Sequence, residues 1–166
     1  MAVRAANLKF YLSGGQFNDD PEASLGGVRS DVEWAGETIH DLFDPLTTDQ
    51  STQGYEDYRC VYFRNEDATS LTVIEAWLSA QPASDVAYAI ALAAEGKNGT
   101  AELLATETQT PATVTFTAPS EKGSGLSIGT LAQYDEYAIW IRRTANEGSS
   151  YAAAATATLR CEGTSA

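Results

Sequence analysis

An all-β fold is predicted, and three features of the chain carry that prediction. Apolar and polar residues alternate with a period of two in segment after segment, the spacing that sends successive side chains to opposite faces of a strand. Turn formers separate these segments at short intervals, with no strand–helix–strand rhythm between them. Residues 126–143 join a short apolar run, a bend at Gly129 and an aromatic, strongly patterned strand, which is how a corner of a β-sandwich is built.

In order along the chain, residues 7–12 set Leu8, Phe10 and Leu12 against Lys9 and Tyr11, a first strand stopped by Ser13, Gly14 and Gly15. From 16 to 54 the pattern dissolves into a long acidic loop. Its carboxylates (Asp19, Asp20, Glu22, Asp31, Glu33, Glu37, Asp41, Asp44 and Asp49) are faced by Arg29 as compensation, and Pro21, Pro45 and several glycines punctuate it. A loop this long inside one domain is often functional. Its apolar residues, among them Phe17, Leu25, Trp34 and Phe43, are expected to tether it to the domain or to a neighbour, with a short strand or helical turn near 39–43.

Regular pattern returns at Tyr55. Tyr58, Cys60 and Tyr62 alternate with Arg59, Val61 and Phe63 until turn formers at 65–67. Residues 71–78 form the next strand, and Val86, Tyr88, Ile90 and Leu92 alternate with alanines in another. Residues 95–99 read as a turn, and 101–105 as either a helical turn or a strand. A strand is expected at 114–117, ended by Pro119. In the corner strand Tyr137, Ile139 and Ile141 share one face, and Ala138, Trp140 and Arg142 the other. A last strand is expected over 151–161, with Ala153, Ala155, Ala157, Leu159 and Cys161 on one face. These segments predict one antiparallel immunoglobulin-like β-sandwich of about seven or eight strands over residues 1–166, with 16–54 as an extension.

The net charge of −13 argues against nucleic acid and anionic membranes as partners, because both repel an acidic surface. Residues 1–7 do not read as a signal peptide, so the sequon at Asn98 lacks a secretory context. No run reaches the roughly 20 apolar residues of a membrane helix. Cys60 and Cys161 are the only cysteines; two buried thiols are expected, with pairing left open.

Motifs for chemistry are absent from this sequence. The single histidine, His40, stands beside no nucleophile-elbow pattern, and no spacing fits a zinc site or a phosphate loop. No catalytic residue, cofactor or metal site is assigned. Acidic residues are so numerous that some carboxylate pair at glycosidase spacing arises by chance. Residues 18–22 offer hard oxygen ligands for calcium but lack an EF-hand spacing. The tryptophans Trp34, Trp77 and Trp140 suggest a sugar-stacking platform or a protein contact, with core packing preferred for Trp77 and Trp140.

The stretches LSGGQFNDDPEASLGG at 12–27, YRCVYFRN at 58–65, LSIGTLAQYDEYAIWIRRT at 126–144 and TATLRCEG at 156–163 carry a resemblance. In them the chain resembles small virion structural proteins of tailed bacteriophages, over most of its length and least over 95–115. The resemblance implies a non-enzymatic component of the virion, made in the host bacterial cytoplasm. It would dock outside the capsid or at the neck or tail and be multimeric in the particle, with major capsid, neck or tail proteins as partners. The candidate interface residues are Trp34, Phe43, Phe17 and Leu25, and deletion of 16–54 is expected to abolish docking while the sandwich still folds. A carbohydrate-binding module for host or surface attachment is the alternative, resting on the Trp and Tyr content.

Overall fold

The computed structural model describes residues 4–35, 39–82, 85–149 and 156–166. The chain is mostly antiparallel β-structure with little helix. Strands β1 (Leu8–Leu12) and β2 (Gly26–Gly27) precede one short helix, α1 (Thr48–Gln53). There follow β3 (Tyr55–Asn65), β4 (Leu71–Ala80), β5 (Val86–Leu92), β6 (Ala101–Leu103), β7 (Leu126–Leu131), β8 (Glu136–Ala145) and β9 (Thr158–Ser165). Nine strands among the described residues, in three sheets, replace the seven or eight expected; the very short β2 was not foreseen, and residues 101–103, read as a helical turn or a strand, form β6.

Sheet order is β1-β3-β8-β5 in the largest sheet, β7-β4-β9 in the second and β2-β6 in the smallest. In an immunoglobulin constant domain the first, second, fourth and fifth strands share a sheet. Counting the seven longer strands here, the four-stranded sheet takes the first, second, fourth and sixth. The fifth, β7, lies instead beside β4. This exchange arises because β8 docks between β3 and β5, pairing with β3 along its whole length, from Tyr55 opposite Ala145 to Arg64 opposite Glu136, and with β5 from Val86 opposite Ala145 to Leu92 opposite Ile139.

Because strand side chains alternate, the large sheet has two buried faces and the chain two cores. The main core gathers Phe10, Leu12, Val61, Phe63, Ile139 and Ile141 from one face of that sheet, together with Leu71, Ile74, Leu78, Leu131 and Leu159 from the second sheet. The opposite face supplies Tyr58, Cys60, Tyr62, Ala138 and Trp140 to a smaller core covered by β6 and the segments around it. Trp34, Ile39, Leu42 and Phe43, from the acidic loop, are buried in the main core. The loop is therefore an integral part of the fold. Deleting 16–54 would remove core side chains, so the separable extension expected from sequence is corrected.

Residues 39–42 form a 3-10 helix, the helical of the two alternatives read there; the His40 side chain lies outside the described residues. Helix α1 starts at a capping box: Thr47 Oγ1 accepts from Gln50 N, and Gln50 Oε1 accepts from Thr47 N. The strand expected at 114–117 is reduced to a single bridge, Thr117 with Ile90, and Thr113 takes a φ of 62°. Val114 and Phe116 instead pack on the smaller core. Of the last expected strand, Ala153 and Ala155 lie outside the described residues. Strand β9 begins at Thr158 and runs on to Ser165. Gly163 allows that extension, since a Cβ there would sit 2.6 Å from the Thr72 carbonyl oxygen on β4. Cys60 is buried and Cys161 half-buried, both as thiols; burial pushes the Cys60 thiol up.

Asp67 staples the N-terminal turn to the β3–β4 connection. Its carboxylate accepts hydrogen bonds from Thr69 N, the Asn7 side chain and Arg4 N at 2.9–3.1 Å. These donors hold its carboxyl down at about 2, below the ordinary 3.8. The ionised form therefore adds stability above pH ~4, and that contribution disappears as the pH falls toward 2. In acid-unfolding titrations the stability gap between the wild-type chain and Asp67→Asn is expected to narrow across that window; a gap that stays constant would show that Asp67 does not act through its charge.

Candidate docking surface

Two of the irregular segments are anchored by ionic contacts and hydrogen bonds of unusual density. Asp57 and Arg143 stand directly opposite each other on β3 and β8, on the face that also bears Val61, Phe63, Ile139 and Ile141. Arg143 donates to both carboxylate oxygens of Asp57, from Nε at 2.9 Å and Nη2 at 2.6 Å, and from Nη1 to the Asp44 carbonyl at 2.6 Å. Arg59 is fully buried. It donates to Leu42 O, Tyr58 O, Asp44 Oδ1 and Glu107 Oε2 at 2.7–3.1 Å. Phe43 lies against both guanidiniums, 5.1 Å from Arg59 and 4.7 Å from Arg143. Burial pushes the Asp57 carboxyl up while Arg143 pulls it down. Burial also opposes ionisation of Glu107, but the Tyr55 hydroxyl and Arg59 together hold its carboxyl below the usual range. Tyr55 is itself pushed up to about 12, by burial and by its bond to Glu107.

This cluster fixes the residues around 42–44 and 107, so the loop is held at its C-terminal end. Its N-terminal end is held by a serine–glycine clasp. Ser13 Oγ donates to Cys60 O at 2.8 Å and accepts from Gly26 N at 3.0 Å. Gly14 N donates to Gly26 O at 2.7 Å, and Gly15 N to Val28 O at 3.0 Å. Asn18 Nδ2 donates to Ser13 O, and Ser30 Oγ to Asn18 O. Ser13, Ser24 and Ser30 are fully buried. A Cβ on Gly14 would sit 2.4 Å from the Ala23 carbonyl oxygen, so this crossing needs glycine.

Phe17 projects from the clasp at 85% exposure, with Val28 at 55% and Val32 at 36% on the same loop. Leu103, on β6 opposite Gly26, is 67% exposed. Exposed Asp19, Asp20, Glu22, Asp31 and Glu33 surround this apolar crest in sequence. Arg29 is drawn inward, stacking over Tyr11 at 4.6 Å and ion-pairing with Glu136 at 2.8 Å. An apolar tip on a well-bonded loop, flanked in sequence by exposed carboxylates, suits a socket with a basic edge.

Of the candidate interface residues, only Phe17 is presented to solvent. Trp34 packs edge-on against Phe10 with ring centroids 5.7 Å apart, Phe43 is sealed by the arginines, and Leu25 is half-buried against the smaller core. Trp34, Trp77 and Trp140 are all less than a tenth exposed, so none offers a stacking face to a sugar. Asn18 Oδ1 accepts from Asp20 N and Asp20 Oδ1 from Glu22 N, as in a turn and a helix cap. Sequence reading missed Val32 and Leu103, whose exposure no local pattern signals. Compared with family models, curated proteins and solved structures, the chain has no match.

Proposed function

We propose that this chain is a non-enzymatic structural protein that docks through the Phe17 crest on a larger assembly, of the kind found on tailed-phage particles. The observation that carries this reading is an almost fully exposed phenylalanine on a loop whose two ends are fastened by buried hydrogen bonds. Presenting an aromatic side chain to water has no folding benefit, and a fastened loop backbone lowers the entropy lost when that side chain enters a partner. The acidic residues around it favour a partner surface rich in Lys and Arg, and a net charge of −13 steers approach to such a surface. The resemblance noted in residues 12–27 and 126–144 supplies the virion as the setting, with capsid, neck or tail proteins as partners. A β-sandwich of the two larger sheets is the rigid support for this reading.

The test is incorporation into particles. Phe17→Asp is expected to leave thermal unfolding within about 0.5 kcal/mol of wild type, as surface changes do. It is also expected to reduce co-purification with assembled virions about tenfold or more, as for an interface anchor. Full incorporation of a folded Phe17→Asp/Val28→Asp chain would refute the crest as the docking element.

A further inference from the structure

Strand β9 is one of the two outer strands of the three-stranded sheet, β7 being the other. A cleft of about 410 Å³ runs beside it, lined by Arg160, Cys161, Glu162 and Gly163 and floored by Leu8, Phe10 and Phe63. Four consecutive residues of one strand line this cleft. Side chains alternate faces along a strand, so a cleft lined by an unbroken run follows the strand's edge rather than one of its faces. The edge offers main-chain donors and acceptors beside an apolar floor, the arrangement that accepts an added strand.

The sequence of β9 specifies what that strand is. Arg160 and Glu162 are exposed neighbours on its outer face, and among the described residues neither takes part in an ion pair. Within the chain Glu162 stands directly opposite Glu75 on β4, a like-charge pair that disfavours the sheet as it stands. A second β9 laid antiparallel with a two-fold axis through Cys161 places Arg160 of each copy opposite Glu162 of the other. Two opposite-charge pairs form, and each Glu162 gains a cation on the side away from Glu75. In the same register Leu159 falls opposite Gly163, so bulk meets the smallest residue.

We propose that β9 is a homodimerisation edge, at which two copies of this chain join their three-stranded sheets across a two-fold axis at Cys161. The partner is another copy because the charge order Arg-Cys-Glu is self-complementary when reversed. This interface uses none of the Phe17 crest, so either proposal can fail alone.

Sedimentation velocity on the purified chain tests it. Wild type is expected to show a concentration-dependent monomer–dimer equilibrium. Arg160→Glu and Glu162→Arg, each alone, place like charges across the axis and are expected to weaken self-association about tenfold or more. Mixing the two single variants restores dimer, because one chain then carries carboxylates at both positions and the other guanidiniums at both, so each cross-axis pair is again of opposite charge. Added diamide is expected to link two chains through Cys161, whose Cα atoms approach to about 4.5–5.5 Å in this register, within disulfide reach. Cys161→Ser abolishes that link and Cys60→Ser does not. Circular dichroism confirms that each variant is folded. A wild type that stays monomeric, folded single variants that dimerise as wild type does, or a mixture no tighter than its components would each overturn the proposal.

Discussion

Arg143→Ala is expected to cost about 3–5 kcal/mol of folding stability, the loss typical of removing one member of a buried ion pair. The size follows from what remains. Asp57 is fully buried and loses both of its guanidinium bonds, and no water-facing route compensates it. The Asp44 carbonyl also loses its donor, so the loop around Phe43 is released from β8. Urea unfolding monitored by tryptophan fluorescence measures the effect. Asp57→Leu/Arg143→Met replaces both charges with apolar groups of similar size and is expected to recover most of the loss, because no unpaired charge is left. A single-variant loss below about 1 kcal/mol would mean that the pair is hydrated and not the anchor described.

Gly26→Ala is the second large effect, expected at about 3 kcal/mol. Gly26 has a φ of +89°, and an added Cβ would lie 1.8 Å from the Glu102 carbonyl oxygen and 2.8 Å from the Trp140 ring. A side chain in that backbone region costs about 1–3 kcal/mol, and the clash with backbone adds repacking cost. Strand β2 pairs with β6 through this residue, and Gly14 bonds to its carbonyl, so the clasp and the cover of the smaller core loosen together. Gly27→Ala serves as the control: its nearest contact is the movable Leu103 side chain at 3.3 Å, so the difference between the two variants isolates the clash. Equal melting temperatures for Gly26→Ala and wild type would sink this account.

Most of the long strands were legible because period-two alternation is a direct image of two buried faces. Tyr58, Cys60 and Tyr62 against Val61 and Phe63, and Trp140 against Ile139 and Ile141, divide between the two cores as the pattern implies. The ionic cluster left a readable sign: Arg59 and Arg143 sit at the inward positions of apolar strands, where a charge demands a partner. Which partner was not readable, since Asp57 meets Arg143 only through the β3–β8 register. Helix α1 also left a sign in Thr47 and Gln50, a capping pair at the right spacing. Strand β2 had none, because two glycines carry no periodicity, and the three residues of β6 were too few to decide between a helical turn and a strand. Nor did alternation reveal that β8 would lie between β3 and β5, the choice that separates this sheet order from the immunoglobulin one. For the docking surface, composition named four apolar loop residues but could not divide them: burial of Trp34 and Phe43 depends on the arginines and on Phe10, far away in sequence.

The central place of β8 has a consequence for biogenesis. Its partner β3 leaves the ribosome long before it, and Tyr55 must wait for Ala145. At about 5–20 residues per second, that delay is roughly 4 to 18 seconds. Throughout it the nascent chain holds an eleven-residue strand with two greasy sides and an unfilled hydrogen-bonding edge. That edge of β3 stays unfilled until β8 has been translated.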